Sequence, residues 1–328
     1  MKVVRCFILC LVALGAISCS KFKEDKKESG LYPVKQNGKW GSIDKKGELV
    51  LNPQFDTAPK FFGGLARMAL SGKWGYIDNT GKYAINPQFD AAGDFSEELA
   101  PVKMWGVWGY VDNKGKYAIN PQFAHAGNFS QGLASVQMGD RWGYIDKAGE
   151  IAINPQFESA TDFSDDLALV TLGGKAGYIN KDGKYVINPQ FDSAGVFSEG
   201  LAAVAVGGKW GYIDKTGTIV INPQFDNGSG AFSEGAARVL MGGQWGYIDN
   251  AGKYLITPQF ENANDFSSGL ARVKVRGKSG YIDKTGNLAI SPQFDSTEGF
   301  FEGLAKVEVS GRLGYIDKTG NYIWTPTD

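Results

Sequence analysis

Residue types that could do chemistry are few in this chain, and most of them recur at equivalent positions. His125 is the single histidine, and the three cysteines lie at positions 6, 10 and 19. Glycosidase chemistry needs two carboxylates in different environments across one cleft. Glutamates instead recur at matching positions, namely Glu97, Glu199, Glu234 and Glu302. Because an active site requires asymmetry, the sequence predicts no catalytic residue, no cofactor and no enzymatic activity.

The repeated Asp-x-x-Gly segments are the candidates for a metal site. One of them is Asp78-Asn79-Thr80-Gly81. Calcium needs about six to eight oxygen ligands from several neighbouring positions, and one aspartate per segment falls short of that. The segments therefore predict tight turns rather than metal sites. His125 stands where other units carry Ala91 or Ser159, which indicates a solvated substitution.

Tryptophans are the best candidates for a binding surface. Aromatic rings suit sugar faces and peptide side chains. Trp40 belongs to the same recurring position, and Ala176, Ser279 and Leu313 replace the ring in other units, so the alternative that the rings are core stays open. Trp105 lies in a turn outside the recurring motif and is expected to be exposed. The candidate binding residues are Trp74, Trp105, Trp108, Trp142, Trp210 and Trp245.

These residues sit in an array with a period of 34 residues. A glycine recurs at the centre of each of nine units, with one spacing of 35 residues after Gly211, and a second marker, Asn-Pro-Gln-Phe, keeps step with it. Repeats of about 20 to 50 residues indicate units that bury surface only against their neighbours. The recurring structural glycines are Gly41, Gly75, Gly109, Gly143, Gly177, Gly211, Gly246, Gly280 and Gly314.

Each unit is predicted to be a three-stranded antiparallel β-meander. In residues 201–206 apolar positions alternate with positions that are polar in other units, which is the pattern of a half-buried strand. A glycine-rich turn at 207–209 leads into residues 210–214, and a second turn at 214–217 leads into the β-branched run 218–221. Proline cannot donate a backbone hydrogen bond, so Pro223 is expected to end the third strand.

The recurring central glycine has no side chain and therefore allows a bulge or the close approach of another backbone. We expect an aromatic ring or a strand of the next unit to lie over it.

At residues 31–328 the chain resembles the WG-repeat (KWG-repeat) family of bacterial proteins. The motif Lys-Trp-Gly-Tyr-Ile-Asp occurs at 73–78 and 209–214, and Ser42 replaces the tyrosine in the first unit. The resemblance implies no general activity. Some repeats of the family resemble cell-wall-binding hairpins, which implies glycan contact as one possible function.

The sequence predicts an all-β array of nine such units, for which we favour an open β-solenoid. Both ends of the array fall at the same phase of the repeat, whereas closed propellers commonly let the first and last strands share one blade of four strands. A propeller-like ring is the alternative.

The segment that precedes the array is interpreted as a targeting signal and a tether. Residues 1–18 begin with Lys2 and Arg5, continue with an apolar stretch and end in small residues before Cys19, which resembles a bacterial lipoprotein signal peptide. That resemblance implies cleavage before Cys19 and its acylation. Residues 19–30 are polar and read as a flexible tether to the repeat array of 31–328. We therefore expect a membrane-anchored lipoprotein of the cell envelope, at the outer membrane or cell surface.

Charge and composition narrow the range of partners. The net charge is −1, and phosphate binding needs a basic face, so nucleic acid is excluded as the natural partner. Arrays of this kind bind or scaffold. We expect a monomeric, non-enzymatic scaffold that binds a protein, with glycan or cell-wall binding through the tryptophans as the alternative.

Lipidation is the first testable consequence. Replacing Cys19→Ala should move the protein from the membrane fraction to the soluble fraction, because the acylated residue is lost. Mass spectrometry of the native amino terminus should show acyl chains on Cys19. An unmodified terminus at another residue would contradict the assignment.

Overall fold

A computed structural model describes residues 30–62, 64–226 and 229–327 of the 328-residue chain. The proposed signal peptide and almost all of the tether, including Cys19, lie outside the described residues. The described residues form nine antiparallel sheets, which we call blades one to nine in chain order. The prediction of an all-β array of nine meanders is confirmed.

Three long strands make up every blade, and neighbours along the chain pair in antiparallel register. The first strands are Tyr32–Gln36, Leu65–Leu70, Ala100–Met104, Leu133–Met138, Ala168–Leu172, Leu201–Val206, Ala237–Met241, Ala271–Val275 and Leu304–Val309. The central strands are Lys39–Ile43, Lys73–Asp78, Val107–Val111, Arg141–Ile145, Lys175–Ile179, Lys209–Asp214, Gln244–Ile248, Lys278–Ile282 and Arg312–Asp317. The third strands are Leu49–Phe55, Tyr83–Phe89, Tyr117–Phe123, Ile151–Phe157, Tyr185–Phe191, Ile219–Phe225, Tyr254–Phe260, Leu288–Phe294 and Tyr322–Thr327.

The connector between blades contributes a further strand that the sequence did not predict. It follows the third strand of one blade and pairs with the first strand of the next, as Ala91 does with Lys103. These short strands are Lys60–Phe62, Ala91–Ala92, His125–Ser130, Ser159–Ala160, Ser193–Ala194, Asn262–Ala263 and Ser296–Thr297.

The expectation that proline ends the third strand is wrong. The third strand of blade six runs through Pro223 to Phe225, because Pro223 lies in a β-bulge where no ladder hydrogen bond is required of it. Trp210 pairs with Phe225 and Tyr212 with Ile221, so three residues of the third strand face Gly211 alone.

The central glycine makes this bulge possible. A Cβ atom on Gly211 would lie 2.3 Å from the carbonyl oxygen of Ile221 and 2.6 Å from the nitrogen of Pro223. The approaching backbone is thus the third strand of the same blade, and not an aromatic ring or the next unit. The same geometry recurs at Gly41, Gly75, Gly109, Gly143, Gly177, Gly246, Gly280 and Gly314.

A second glycine recurs in every unit, at the end of the Asp-x-x-Gly turn, which begins with Asn180 in the fifth unit. Gly217 has a φ of +87°, and a Cβ there would lie 3.3 Å from the Ile187 side chain of the preceding blade. The turn is closed by the Asp214 carboxylate, which accepts hydrogen bonds from the amides of Thr216 and Thr218. The Asp-x-x-Gly segments are therefore turns that pack against the neighbouring blade.

Consecutive blades pack face to face through apolar clusters. Tyr212 of blade six is fully buried among residues that include Phe232 and Val239 of blade seven. Its hydroxyl donates a hydrogen bond of 2.8 Å to the Gly230 carbonyl oxygen in the next connector. The equivalent tyrosines make the same bond from blades two to eight, from Tyr76, Tyr110, Tyr144, Tyr178, Tyr247 and Tyr281.

Blades nine and one close the ring, so the architecture is the nine-bladed propeller and not the open solenoid that we favoured. Tyr32 and Val34 pack in one cluster with Leu304 and Tyr315. The Tyr315 hydroxyl donates to the Pro33 carbonyl oxygen at 2.6 Å, and the Tyr32 hydroxyl to that of Glu302 at 2.8 Å. Blades nine and one pack face to face, and the first and last strands of the array do not share a blade. The position in the repeat at which the array begins and ends therefore did not reveal the closure.

Two glycines, one in blade six and one in the connector that leads into it, provide a matched test of the bulge. Gly211→Ala should destabilise the fold by about 3 kcal/mol, because its methyl group would overlap the Ile221 carbonyl. Gly195→Ala should be neutral or slightly stabilising, since the nearest atom to its Cβ lies 3.9 Å away. Urea unfolding of both variants measures the difference, and equal stabilities would refute the close approach as the cause.

Candidate functional site

The recurring tryptophans lie between blades and are partly buried. Trp74 packs against the cluster of Tyr76 and Phe89 from its own blade and Val102 from the next. The other rings occupy the same position in the neighbouring clusters, namely Trp40, Trp108, Trp142, Trp210 and Trp245. Ala176 and Ser279, which replace the ring, are also buried. These tryptophans contribute to inter-blade packing and expose only part of each ring.

Arginine covers the tryptophan at two of the junctions between blades. The Arg67 guanidinium carbon lies 5.5 Å from the Trp74 ring centre, a cation–π distance. The same guanidinium donates to the Ala92 carbonyl oxygen at 2.9 Å and forms an ion pair of 2.7 Å with Asp94 of the next blade.

The second such junction joins blades seven and eight. Arg238 lies 5.2 Å from the Trp245 ring centre and donates to the Ala263 carbonyl oxygen at 2.8 Å. Its Nε lies 3.1 Å from Asp265 Oδ1, although the angle does not meet hydrogen-bond geometry, so this contact is an ion pair. The ring, the carbonyl group and the carboxylate follow Arg67 and Arg238 at the same three sequence spacings.

At two further junctions the arginine position and the aspartate position are both occupied by apolar residues. Where Leu169 replaces the arginine, Val196 replaces the aspartate, and where Ala203 does so, Ala231 is its partner after the single insertion. Apolar residues oppose apolar ones at these two junctions. Arg272 of blade eight has Gly299 at the carboxylate position and donates instead to Asn264 Oδ1 at 2.9 Å.

The junction of blades four and five has the carboxylate but not the arginine. Asp162 occupies the carboxylate position, but Ser135 stands where the arginine would be and lies 3.1 Å from Asp162 Oδ1. Burial raises the pKa of Asp162, and hydrogen bonds from Ser135 and the Asn128 amide partly oppose that shift. Within the described residues no cation pairs with this carboxylate.

Ion pairs link the blades along a second line, at the tips of the hairpins between first and central strands. We call the nine tips the hairpin rim. Asp90 accepts from the Lys73 ammonium at 2.7 Å and, through its other oxygen, from the Trp105 amide of the next hairpin at 2.8 Å. The same pairing recurs between Lys39 and Asp56, Lys175 and Asp192, Lys209 and Asp226, and Lys278 and Asp295.

Blade three interrupts this line with apolar residues. Val107 stands at the lysine position and Ala124 at the aspartate position, so both members of the pair are replaced together. The tip beside them carries Trp105, whose side chain is 81% exposed and whose φ is +52°. Most other tips of the rim have glycine, serine or asparagine there, residues that suit this left-handed conformation or a turn better than tryptophan does.

A further departure from the repeat lies next to Ala124 in the sequence. Ala124 is followed by the exposed His125, whose ring stacks on Trp142 at 6.0 Å and 25°. We call Trp105, Val107, Ala124, His125 and Trp142 the irregular strip. It is the candidate functional site, because Trp105, Val107, Ala124 and His125 break the repeat and His125 stacks on the recurring Trp142 ring.

The other predicted candidates have structural contacts. Glu97 accepts hydrogen bonds from the Gly132 amide, and Glu199 from the amides of Glu234 and Gly235. Each of these glutamates therefore ties its connector to the next blade. In the described residues no group of three or more His, Cys, Asp or Glu side chains is placed to hold a metal ion. No helix there has the length and apolarity to cross a membrane.

Sequence reasoning found Trp105 and Trp142 but missed Val107, Ala124, Ser135 and Asp162. A signal for them was present in the repeat. Lysine and aspartate recur at one fixed spacing, and arginine and aspartate recur at another. Val107 and Ala124 keep neither member of the first pair, and Asp162 is a carboxylate of the second pair without its arginine.

The repeat model of the WG-containing repeat matches residues 27–40, 40–74, 74–106, 108–142, 142–175, 177–210, 210–245, 245–278 and 280–312. The chain belongs to the WG-repeat family. No curated protein sequence matches it.

Solved structures resemble this WG-repeat protein in fold. A crystal structure described as the eukaryotic initiation factor superposes with a TM-score of 0.63 at 10% identity, covering 90% of this chain and 95% of that chain. AztD from Citrobacter koseri gives a TM-score of 0.46 at 12% identity, with 91% and 93% covered. At such identities the likeness shows the fold alone.

Ser135 provides a test of the arginine–aspartate pairing. Ser135→Arg should stabilise the fold by about 1 kcal/mol, because it supplies the cation that Arg67 and Arg238 supply elsewhere. Ala203→Arg is the control. Ala203 is buried at a junction without the carboxylate, so that variant should lose about 2 kcal/mol or more.

The pH dependence identifies Asp162 as the partner. A raised folded-state pKa means that this carboxyl contributes stability at low pH that is lost as pH rises through its folded-state pKa. The gain from Ser135→Arg should therefore be present at about pH 7 and disappear near about pH 3, where Asp162 is protonated. Melting curves at both pH values measure it, and an equal gain at both would exclude Asp162 as the partner.

Proposed function

We propose that this WG-repeat propeller is a non-enzymatic scaffold that binds another protein through the irregular strip. We further propose that it acts as a monomer, held in the cell envelope by lipid on Cys19. The observation that carries the proposal is Trp105, an 81% exposed tryptophan at the tip of a hairpin.

Conformation and exposure together support a functional role for Trp105. A non-glycine residue with positive φ costs free energy, and such strain concentrates at functional sites. Burial of Trp105 within the fold does not repay that cost, because its side chain lies in solvent. Tryptophan is enriched among the few residues that dominate protein–protein affinity.

The surroundings of Trp105 fit a protein partner. Val107 and Ala124 remove the charged pair that borders most other tips, which leaves an apolar rim segment next to the ring. Charged pairs on either side, Lys73 with Asp90 and Arg141 with Glu158, surround this segment. An apolar centre with a polar rim is the usual anatomy of a protein interface.

Glycan binding through the recurring tryptophans is the weaker alternative. These rings pack between blades, and those of Trp74 and Trp245 have a guanidinium on one face. Stacking on a sugar needs a free ring face, which Trp105 offers but the recurring rings offer only in part. One exposed ring is a small platform for a polysaccharide.

Site-specific photo-crosslinking tests the proposal. A benzophenone amino acid at Ala124 should capture one envelope protein, and Trp105→Ala should reduce that capture at least about tenfold, as loss of a central tryptophan does. The melting temperature should stay unchanged, because the ring is exposed. A crosslinker at Ser310, another tip of the rim, is the matched control. Equal capture from Ser310, or capture of glycan alone, would contradict the proposal.

A further inference from the structure

The junction of blades four and five repeats the surroundings of a guanidinium without containing an arginine. At the two arginine junctions the guanidinium contacts a tryptophan ring, a connector carbonyl oxygen and a carboxylate of the next blade. At the same three spacings from Ser135 the chain has Trp142, Ala160 and Asp162. All three partners are therefore retained, and only the arginine is replaced.

One backbone position at this junction has the same surroundings as its equivalent at an arginine junction. A Cβ on Gly230 would lie 2.5 Å from Asp265 Oδ1 and 2.6 Å from the Arg238 stem. A Cβ on the equivalent Gly127 would lie 2.4 Å from Asp162 Oδ1 and 2.4 Å from Ser135 Oγ. The carboxylate thus lies equally close to the equivalent Cβ in both junctions, although residue 135 differs between them. The junctions also differ at the tryptophan, because the His125 ring stacks on Trp142 at 6.0 Å.

Two other junctions lack both the cation and the carboxylate. Where the first strand has Leu169 or Ala203, the carboxylate is replaced too, by Val196 or Ala231. Asp162 lies opposite Ser135 instead. Its burial disfavours the charged form of the carboxylate and so raises its pKa. An unpaired, partly buried carboxylate is stabilised by any cation that reaches it.

We propose that Trp142, Ala160 and Asp162 bind a guanidinium supplied from outside the chain, namely an arginine side chain of the partner protein. This inference rests on the proposed function and adds a specific contact to it. Trp142 belongs to the irregular strip and Asp162 is partly exposed, so one partner reaches both. A planar guanidinium fits a carboxylate and a ring face together, which an ammonium does less well.

Ligand binding to the free protein tests the site without the partner. The eight tryptophans give eight indole N–H signals in a ¹⁵N-labelled sample, and Trp142→Phe assigns one of them. Titration with N-acetylarginine methylamide at about pH 8 should shift the Trp142 signal selectively. The matched citrulline compound, which is planar but neutral, should leave it unmoved, and the lysine compound should bind more weakly.

Two variants test whether the shift of the Trp142 signal depends on the proposed guanidinium site. Asp162→Asn should weaken the arginine probe at least about tenfold, because the charged hydrogen-bond acceptor is lost. Ser135→Arg should abolish the shift, since the chain then supplies its own guanidinium; a melting curve confirms that this variant is folded. No shift of Trp142, or an unchanged shift in either folded variant, would overturn the proposal.

The source of the guanidinium is distinguished in the same experiment. Binding of the capped probe supports an arginine side chain within a polypeptide, while binding of free arginine only would show a small-molecule site and overturn the assignment to a partner. Because the probe needs no partner, a positive titration together with failed crosslinking at Ala124 would reject the proposed interface and leave the guanidinium site standing.

Discussion

The buried tyrosine of the central strand is the group on which the ring depends. Each of these side chains lies between two blades, and its hydroxyl has no access to water, so it must find an acceptor within the protein. The next connector provides a carbonyl oxygen at 2.6 to 2.8 Å, as at Tyr178 and Tyr212. Burial accordingly raises the pKa of these phenols, that of Tyr281 to about 12. One directional bond in an apolar interface thus orients blades two to nine on the next blade of the ring, whereas blade one has Ser42 at this position.

Two glycines let that interface form. The central glycine allows the third strand to bulge over it, which places Phe225 beside Trp210 and Ile221 beside Tyr212 on the face that packs against blade seven. The turn glycine, as at Gly217, lets the preceding blade's isoleucine approach from the other side. Both are needed because a Cβ at either position would meet atoms already in place. The repeat is therefore uniform along the chain for reasons of packing, and this accounts for most of the recurring residues.

Local features of the fold were predictable, whereas closure and asymmetry were not. Period-two alternation in 201–206 and the glycine-containing turns identified the meander. Pro223 misled because a missing N–H excludes a residue from a regular ladder but not from a bulge. Ring closure depends on the rotation between successive blades, which no single repeat displays. Trp105 stood out by type, but Asp162 became informative only when its distance from Ser135 could be compared with the arginine junctions.

In a ring of equivalent blades, specific binding must come from the places where equivalence fails. A contact present nine times would bind a partner in nine orientations, whereas recognition of one protein requires a unique surface. Trp105, Val107 and Ala124 break the line of ion pairs at the hairpin rim, and Ser135 breaks the arginine pairing at the following junction. Both breaks replace a cation of the chain. The second break leaves the Asp162 carboxylate without a cation from the chain. A cation of the partner is the simplest counterion for it.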